Sequence, residues 1–167
     1  MRFILVDRIL AVEAGRSIDV LKNVTSTEDV FLDHFPGWPI FPGALVIEVF
    51  EQSVQLLIGI TSAFGHVGRL DRLVRASFRR VVRPGDQLRV RCERREAASV
   101  RRGGAGAESE WRIAATAEVD GRPVASALLQ YTLAEVEPGT ETARQAERVS
   151  ELVRVMRQDP LALVDLG

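Results

Sequence analysis

Residues 44–58 constrain this chain more than any other stretch. They contain no helix breaker, and Gly59 is the first to interrupt them. Leu45, Val46, Ile47, Val49, Phe50, Val54, Leu56, Leu57 and Ile58 make the segment apolar on nearly every side. A helix of that kind is a buried helix, so the rest of the chain has to enclose it. Its one polar stripe is Glu48, Glu51, Gln52 and Gln55, at i, i+3, i+4 and i+7, which share a face. An ionisable group in such surroundings costs free energy unless it is paired, hydrated or used. Immediately upstream, residues 34–43 pack Pro36, Pro39, Pro42, Gly37 and Gly43 around His34. Proline fixes its own φ and pushes the residue before it out of the helical region, so this is a stiff, irregular loop.

The enclosing material reads as strands. β-Forming runs at 3–12 and 17–24 flank a turn at Glu13-Ala14-Gly15. Thr25, Ser26 and Thr27 are N-cap candidates for a short helix reaching Asp33, with Glu28 and Asp29 where a helix dipole favours acids. The long helix is expected over 43–63, closed by Gly65 and Gly68. Strands follow at 70–80, 87–95, 110–119 and 124–133, with turns at Arg83-Pro84-Gly85-Asp86 and Asp120-Gly121 and a flexible hairpin loop at 101–110. One buried helix among many antiparallel strands predicts an α+β fold in which the sheet wraps the helix, as in a hotdog fold. The expected domain covers 1–134, followed over 135–167 by a linker and a helical tail, either packed on the domain or mobile. His66, beside two glycines, reads as an exposed loop residue.

The chain has 167 residues and a net charge of −1, so it carries no global polyanion-binding signature. Charge is nonetheless uneven: residues 69–102 hold twelve arginines against Asp71, Asp86, Glu93 and Glu96. That segment is either a solvated face of paired arginines or a docking face for an acidic partner. With one lysine and few aromatics near the arginines, nucleic acid is the weaker reading. One cysteine and two histidines cannot assemble a zinc-type cluster, and the lone Cys92 reads as a small buried hydrophobe. The apolar run at 3–6 is too short for a signal-peptide core, and no uninterrupted apolar run reaches membrane-spanning length. A soluble, cytoplasmic protein without a membrane span is expected.

The segment H-F-P-G-x-P-x-x-P-G over 34–43, followed by A-L-V-I-E-x-x-x-Q over 44–52, resembles the active-site segment of the FabZ-type β-hydroxyacyl-acyl-carrier-protein dehydratases, hotdog-fold enzymes of fatty-acid synthesis. Supporting similarities fall in the same order along the chain: Phe3 to Arg8, Lys22 to Thr25, Phe78-Arg79-Arg80 with Pro84 to Leu88, and Val119-Asp120-Gly121. Together they span about 3–133, and a ten-position pattern with such support is specific. The resemblance implies dehydration of a 3-hydroxyacyl thioester to the trans-2-enoyl thioester, with the substrate carried on the phosphopantetheine arm of acyl carrier protein and no cofactor held by the protein itself. It implies a homodimer, often a trimer of dimers, in which His34 of one protomer meets Glu48 of the other. It also implies an acyl tunnel along the buried helix, with the arm approaching past the arginine-rich strands.

The reaction needs a base, an acid and a donor for the carbonyl oxygen. His34 suits the base, since imidazole titrates near working pH. Glu48 suits the acid, because a carboxyl on a buried helix can keep a proton to hand on. The Gly43 N–H, at the mouth of the helix, suits an oxyanion donor. Gln52, one turn beyond Glu48, is assigned to orient it, and Trp38, Phe41 and Ala44 to the substrate side of the site. A structural reading stands beside each: His34 as a loop residue, Glu48 paired with an arginine of 69–83, and Phe35 as plain packing. The chain departs from the family pattern at Trp38, where arginine is common, at Phe41, where methionine is common, at Glu51 in place of a small residue, and at Val81 in place of proline. It also starts almost at the first strand and carries an added C-terminal segment, which points to a specialised relative, for instance in a polyketide or secondary-lipid pathway. Two other functions compete. One is a degenerate scaffold that binds carrier protein or acyl groups; the other is an acyl thioesterase, which would generally lack the HFPG loop. Isomerisation is disfavoured, since FabA-type isomerases carry aspartate where this chain has Glu48.

Overall fold

The computed structural model describes residues 4–32, 34–35, 37–95 and 110–156. Six strands form one sheet: β1 (Arg8–Glu13), β2 (Ser17–Asn23), β3 (His66–Phe78), β4 (Gln87–Arg95), β5 (Glu110–Val119) and β6 (Arg122–Glu135). Their order is β1-β2-β4-β5-β6-β3, and every neighbouring pair is antiparallel. The helix α1 (Gly43–Thr61) packs on this sheet, and a second helix, α2 (Glu141–Met156), packs on α1. This is the hotdog arrangement expected from the sequence.

Alternation sets the inner face. Leu88, Val90 and Cys92 of β4, and Trp111, Ile113, Ala115 and Ala117 of β5, are buried, while the arginines between them face outward. Val49, Phe50, Val54 and Leu57 of α1 complete the same core. By length and composition α1 could cross a membrane, but here it is the core helix of the domain.

The structure corrects the expected closure of α1. The helix ends at Thr61, and two hydrogen bonds wrap its end: Phe64 N–H to Gly59 O at 2.7 Å and Ala63 N–H to Ile60 O at 3.4 Å. This is a Schellman pattern, with Ala63 (φ 49°) at the left-handed position that glycine usually fills. Gly65 and Gly68 therefore do not cap the helix, and Gly68 lies inside β3, which begins at His66 rather than residue 70. A Cβ on Gly68 would run into Ile58 Cδ1 and come within 3.3 Å of Gln55 Nε2 and Tyr131 Cδ1. Gly68→Ala is expected to cost about 1–3 kcal/mol by overpacking, read as a lowered denaturation midpoint.

At the N-terminus, β1 begins at Arg8 rather than residue 3. Leu5 and Val6 are buried there, and the Leu5 N–H is donated to a side chain of α1, Gln52 Oε1, at 2.9 Å. The short helix is a single 3-10 turn, Asp29–Leu32. The C-terminal segment contains the packed helix: Ala146, Val149 and Val153 are buried, and a Cβ on Gly59 would sit 2.8 Å from Val149 Cγ1, so α1 and α2 meet at a glycine. The loop expected at 101–110 falls almost wholly outside the described residues.

Candidate active site

The His34 loop is fixed mainly through its backbone. The His34 N–H donates to Val30 O at 3.1 Å, its carbonyl accepts from Ile40 N–H at 3.2 Å, and Phe41 N–H donates to Val82 O at 2.8 Å. The His34–Phe35 peptide is cis, and the two rings stack with centroids 4.3 Å apart. Beneath the loop lies a buried cation. Lys22 Nζ donates to Glu28 Oε1 and to Asn23 O, each at 2.9 Å, and stands 5.8 Å from the centroid of the Phe41 ring. Glu28 Oε1 also accepts from Thr25 N–H at 3.0 Å, closing the turn that leads into the short helix. Phe41 is 2% exposed and packs near Phe31.

Trp38 projects from the loop, 58% exposed, with the Arg83 guanidinium 4.6 Å from its ring centroid. Pro42 precedes α1 and no side chain caps the helix start, so the Gly43 N–H is not claimed by the helix. The Phe78 ring covers Gly43; a Cβ there would lie 3.0 Å from it. Ala44 is exposed beside it. On the next turn, Glu48 Oε1 accepts from Gln52 Nε2 at 2.9 Å, while Gln52 Oε1 accepts the Leu5 N–H. The amide of Gln52 is thus held from both ends and fixes one oxygen of Glu48. Among the described residues no ion pair joins Glu48 to an arginine, and no hydrogen bond joins it to His34 within one protomer.

The FabA-like domain family matches residues 1–127. The FabZ 3-hydroxyacyl-acyl-carrier-protein dehydratase of Granulibacter bethesdensis is 38% identical over 148 residues, 87% of this chain and 79% of that protein. The FabZ dehydratase of Nitrosospira multiformis is 42% identical over 138 residues, 78% of this chain and 86% of that protein. The chain belongs to the FabZ-type dehydratase family. Among solved structures, a hot-dog-like protein of Thermanaerovibrio acidaminovorans superposes with a TM-score of 0.58 at 15% identity, covering 83% of this chain and 91% of that one. The ApeI:P dehydratase heterocomplex of Xenorhabdus doucetiae gives 0.54 at 15% identity, covering 74% and 96%. Both likenesses concern the fold.

In this FabZ-type chain a second glutamine-held carboxyl lies one turn past Glu48. Gln55 Nε2 donates to Glu51 Oε1 at 2.8 Å and to Gly68 O at 2.6 Å, and Gln55 Oε1 accepts Gly68 N–H at 3.1 Å. Burial pushes the Glu51 carboxyl up to about 7; the Gln55 hydrogen bond opposes this and the Glu48 charge adds to it. The folded state therefore holds this proton more tightly than the unfolded chain does. The stability it confers is complete below about pH 4.5 and lost as pH rises through about 7. Relative to Glu51→Gln, the wild type is expected to lose on the order of 2–3 kcal/mol between those limits, measured by urea unfolding at pH 5 and pH 8. Sequence reading placed Glu51 on the polar stripe but missed its tie to Gly68 and the Lys22–Glu28 pair. The Thr25-x-x-Glu28 spacing was the available signal for the latter. Among the described residues no group of three or more His, Cys, Asp or Glu side chains could hold a metal ion.

Proposed function

We propose that this protein dehydrates 3-hydroxyacyl thioesters carried on acyl carrier protein, as a hydro-lyase of fatty-acid or related lipid biosynthesis. His34 takes the proton from the carbon beside the thioester carbonyl, and the electron pair of that C–H bond becomes the new double bond. Glu48 gives its proton to the departing hydroxyl, which leaves as water. The Gly43 N–H, with the helix dipole behind it, faces the carbonyl oxygen as it gains charge. The observation that carries this reading is the Glu48–Gln52–Leu5 chain of hydrogen bonds, set one turn behind an unclaimed helix N-terminus, in a member of the FabZ-type family.

Two protomers make the site. Among the described residues no hydrogen bond or ion pair joins His34 to Glu48 within one chain, and β3 is an edge strand exposing Leu73 (43%), Val74 (42%) and Phe78 (51%). An apolar edge of that kind favours pairing with a second copy. Carrier protein docks on the arginine-rich side. A groove of about 630 Å³ lined by Arg80, Arg83 and Arg122, with Asp86 and Asp120, lies next to the Trp38–Arg83 contact and suits an acidic partner with a phosphate-bearing arm. The test is turnover of 3-hydroxyacyl carrier-protein thioesters of several lengths, followed by the absorbance of the conjugated enoyl product. Rising absorbance without free acid supports the dehydratase. Free acid release would identify a thioesterase, and carrier binding with no turnover at any chain length would identify a scaffold.

A further inference from the structure

The dehydration chemistry leaves two internal polar groups unused, the Glu51 carboxyl and the Tyr131 hydroxyl. Glu51 is partly buried, three residues beyond Glu48, about 4.5 Å farther along the helix axis. Gln55, anchored on both backbone groups of Gly68, holds Glu51 Oε1 in place. Its second oxygen makes no hydrogen bond among the described residues. Tyr131 of β6 is 1% exposed and its ring lies beside Gly68, within reach of the same glutamine. Its hydroxyl is the one buried side-chain nitrogen or oxygen without a hydrogen-bond partner among the described residues. Burial, then the charges of Glu51, Cys92 and Glu48, push its ionisation upward, so it stays a neutral donor.

Neither unpaired polar atom helps the fold. A buried hydroxyl without a partner costs about 1–3 kcal/mol, and phenylalanine would supply the same ring without that cost. A second carboxyl beside Glu48 adds like-charge repulsion. Both groups become favourable when an atom able to hydrogen-bond lies between α1 and β6. We infer that Glu51 and Tyr131 form a polar subsite that selects acyl chains carrying a further oxygen, as hydroxyl or keto, a few carbons beyond the reacting ones. This rests on the reading of Glu48 as the catalytic acid. A chain that starts at Glu48 and follows α1 meets Glu51 one turn later. Plain methylenes there would bury the second Glu51 oxygen without a partner, whereas an oxygen substituent accepts from Tyr131 or exchanges a hydrogen bond with Glu51.

The test uses pairs of 3-hydroxyacyl thioesters of equal length, one plain and one with a hydroxyl or keto group in the middle of the chain, on wild type, Glu51→Ala and Tyr131→Phe. Melting curves establish that each variant is folded. The wild type is expected to favour the oxygenated chain by about tenfold in kcat/KM, the worth of one buried hydrogen bond. Glu51→Ala is expected to reverse the preference by improving turnover of the plain chain, and Tyr131→Phe to shrink it with little effect on the plain chain. A ratio near one in the wild type, or the same ratio in all three proteins, overturns the subsite and leaves the dehydratase reading standing. Failure of every chain to turn over overturns the dehydratase reading itself, and the subsite with it.

Discussion

His34→Ala and Glu48→Gln are each expected to lower kcat by about 10²–10⁴-fold, the range for loss of a positioned acid or base. The fold should survive both changes. His34 is held through its backbone N–H and carbonyl, which alanine keeps, and loses only the stack on Phe35. Glutamine at position 48 retains an oxygen for the Gln52 Nε2–H but has no proton to give to the leaving hydroxyl. KM should change far less than kcat in Glu48→Gln, because the proposed acid acts in the transition state rather than in binding. Gln52→Ala is expected to have a smaller effect in the same direction, since it frees Glu48 and the Leu5 N–H together. Enoyl absorbance read on the purified variants, beside their melting curves, separates loss of chemistry from loss of fold.

Lys22→Met is expected to cost about 3–5 kcal/mol, the usual result of removing one partner from a buried ion pair. The Lys22 side chain is 7% exposed and that of Glu28 19%, so the carboxylate left behind is poorly hydrated. Glu28 also holds the Thr25 N–H at the start of the turn that leads to His34, and Phe41 loses the cation beside its ring. The damage therefore falls on the loop that carries the proposed base, and kcat should drop although no reacting group has been touched. The double variant Lys22→Met/Glu28→Gln should recover part of the lost stability, because no unpaired charge remains. Urea unfolding of the three proteins checks this. A loss below about 1 kcal/mol in Lys22→Met would mean that the pair behaves as a surface contact.

Much of this was legible because a few residues leave little choice. An apolar run without breakers can only be a buried helix, and α1 begins at Gly43 as expected. Strict alternation fixed β4 and β5 to the residue, and Asp120-Gly121 closes its hairpin with both residues at positive φ. The i,i+4 spacing puts Glu48 and Gln52 on one face, where they do hydrogen-bond. The rest depends on contacts distant in sequence. Gly68 resembled a helix stop because glycine usually is one, whereas its role comes from Ile58, Gln55 and Tyr131 crowding it from three elements. Ala63 closes α1 where no pattern would place a non-glycine residue. Tyr131 sits at an ordinary inward position of a strand, and nothing local shows that its hydroxyl finds no partner. Phe41 is named by its place in the motif, but nothing local in the sequence shows the buried Lys22 beside its ring.

The proposed mechanism requires His34 of one protomer and Glu48 of its partner to work together in dehydration. The direct measurement mixes His34→Ala and Glu48→Gln subunits, each inactive alone, and follows enoyl formation. In a two-fold dimer with shared sites, a mixed pair holds one intact site and one doubly broken site, so random mixing should restore about a quarter of wild-type activity per site. Mixtures that form hybrid dimers and remain as inactive as the parents would contradict it.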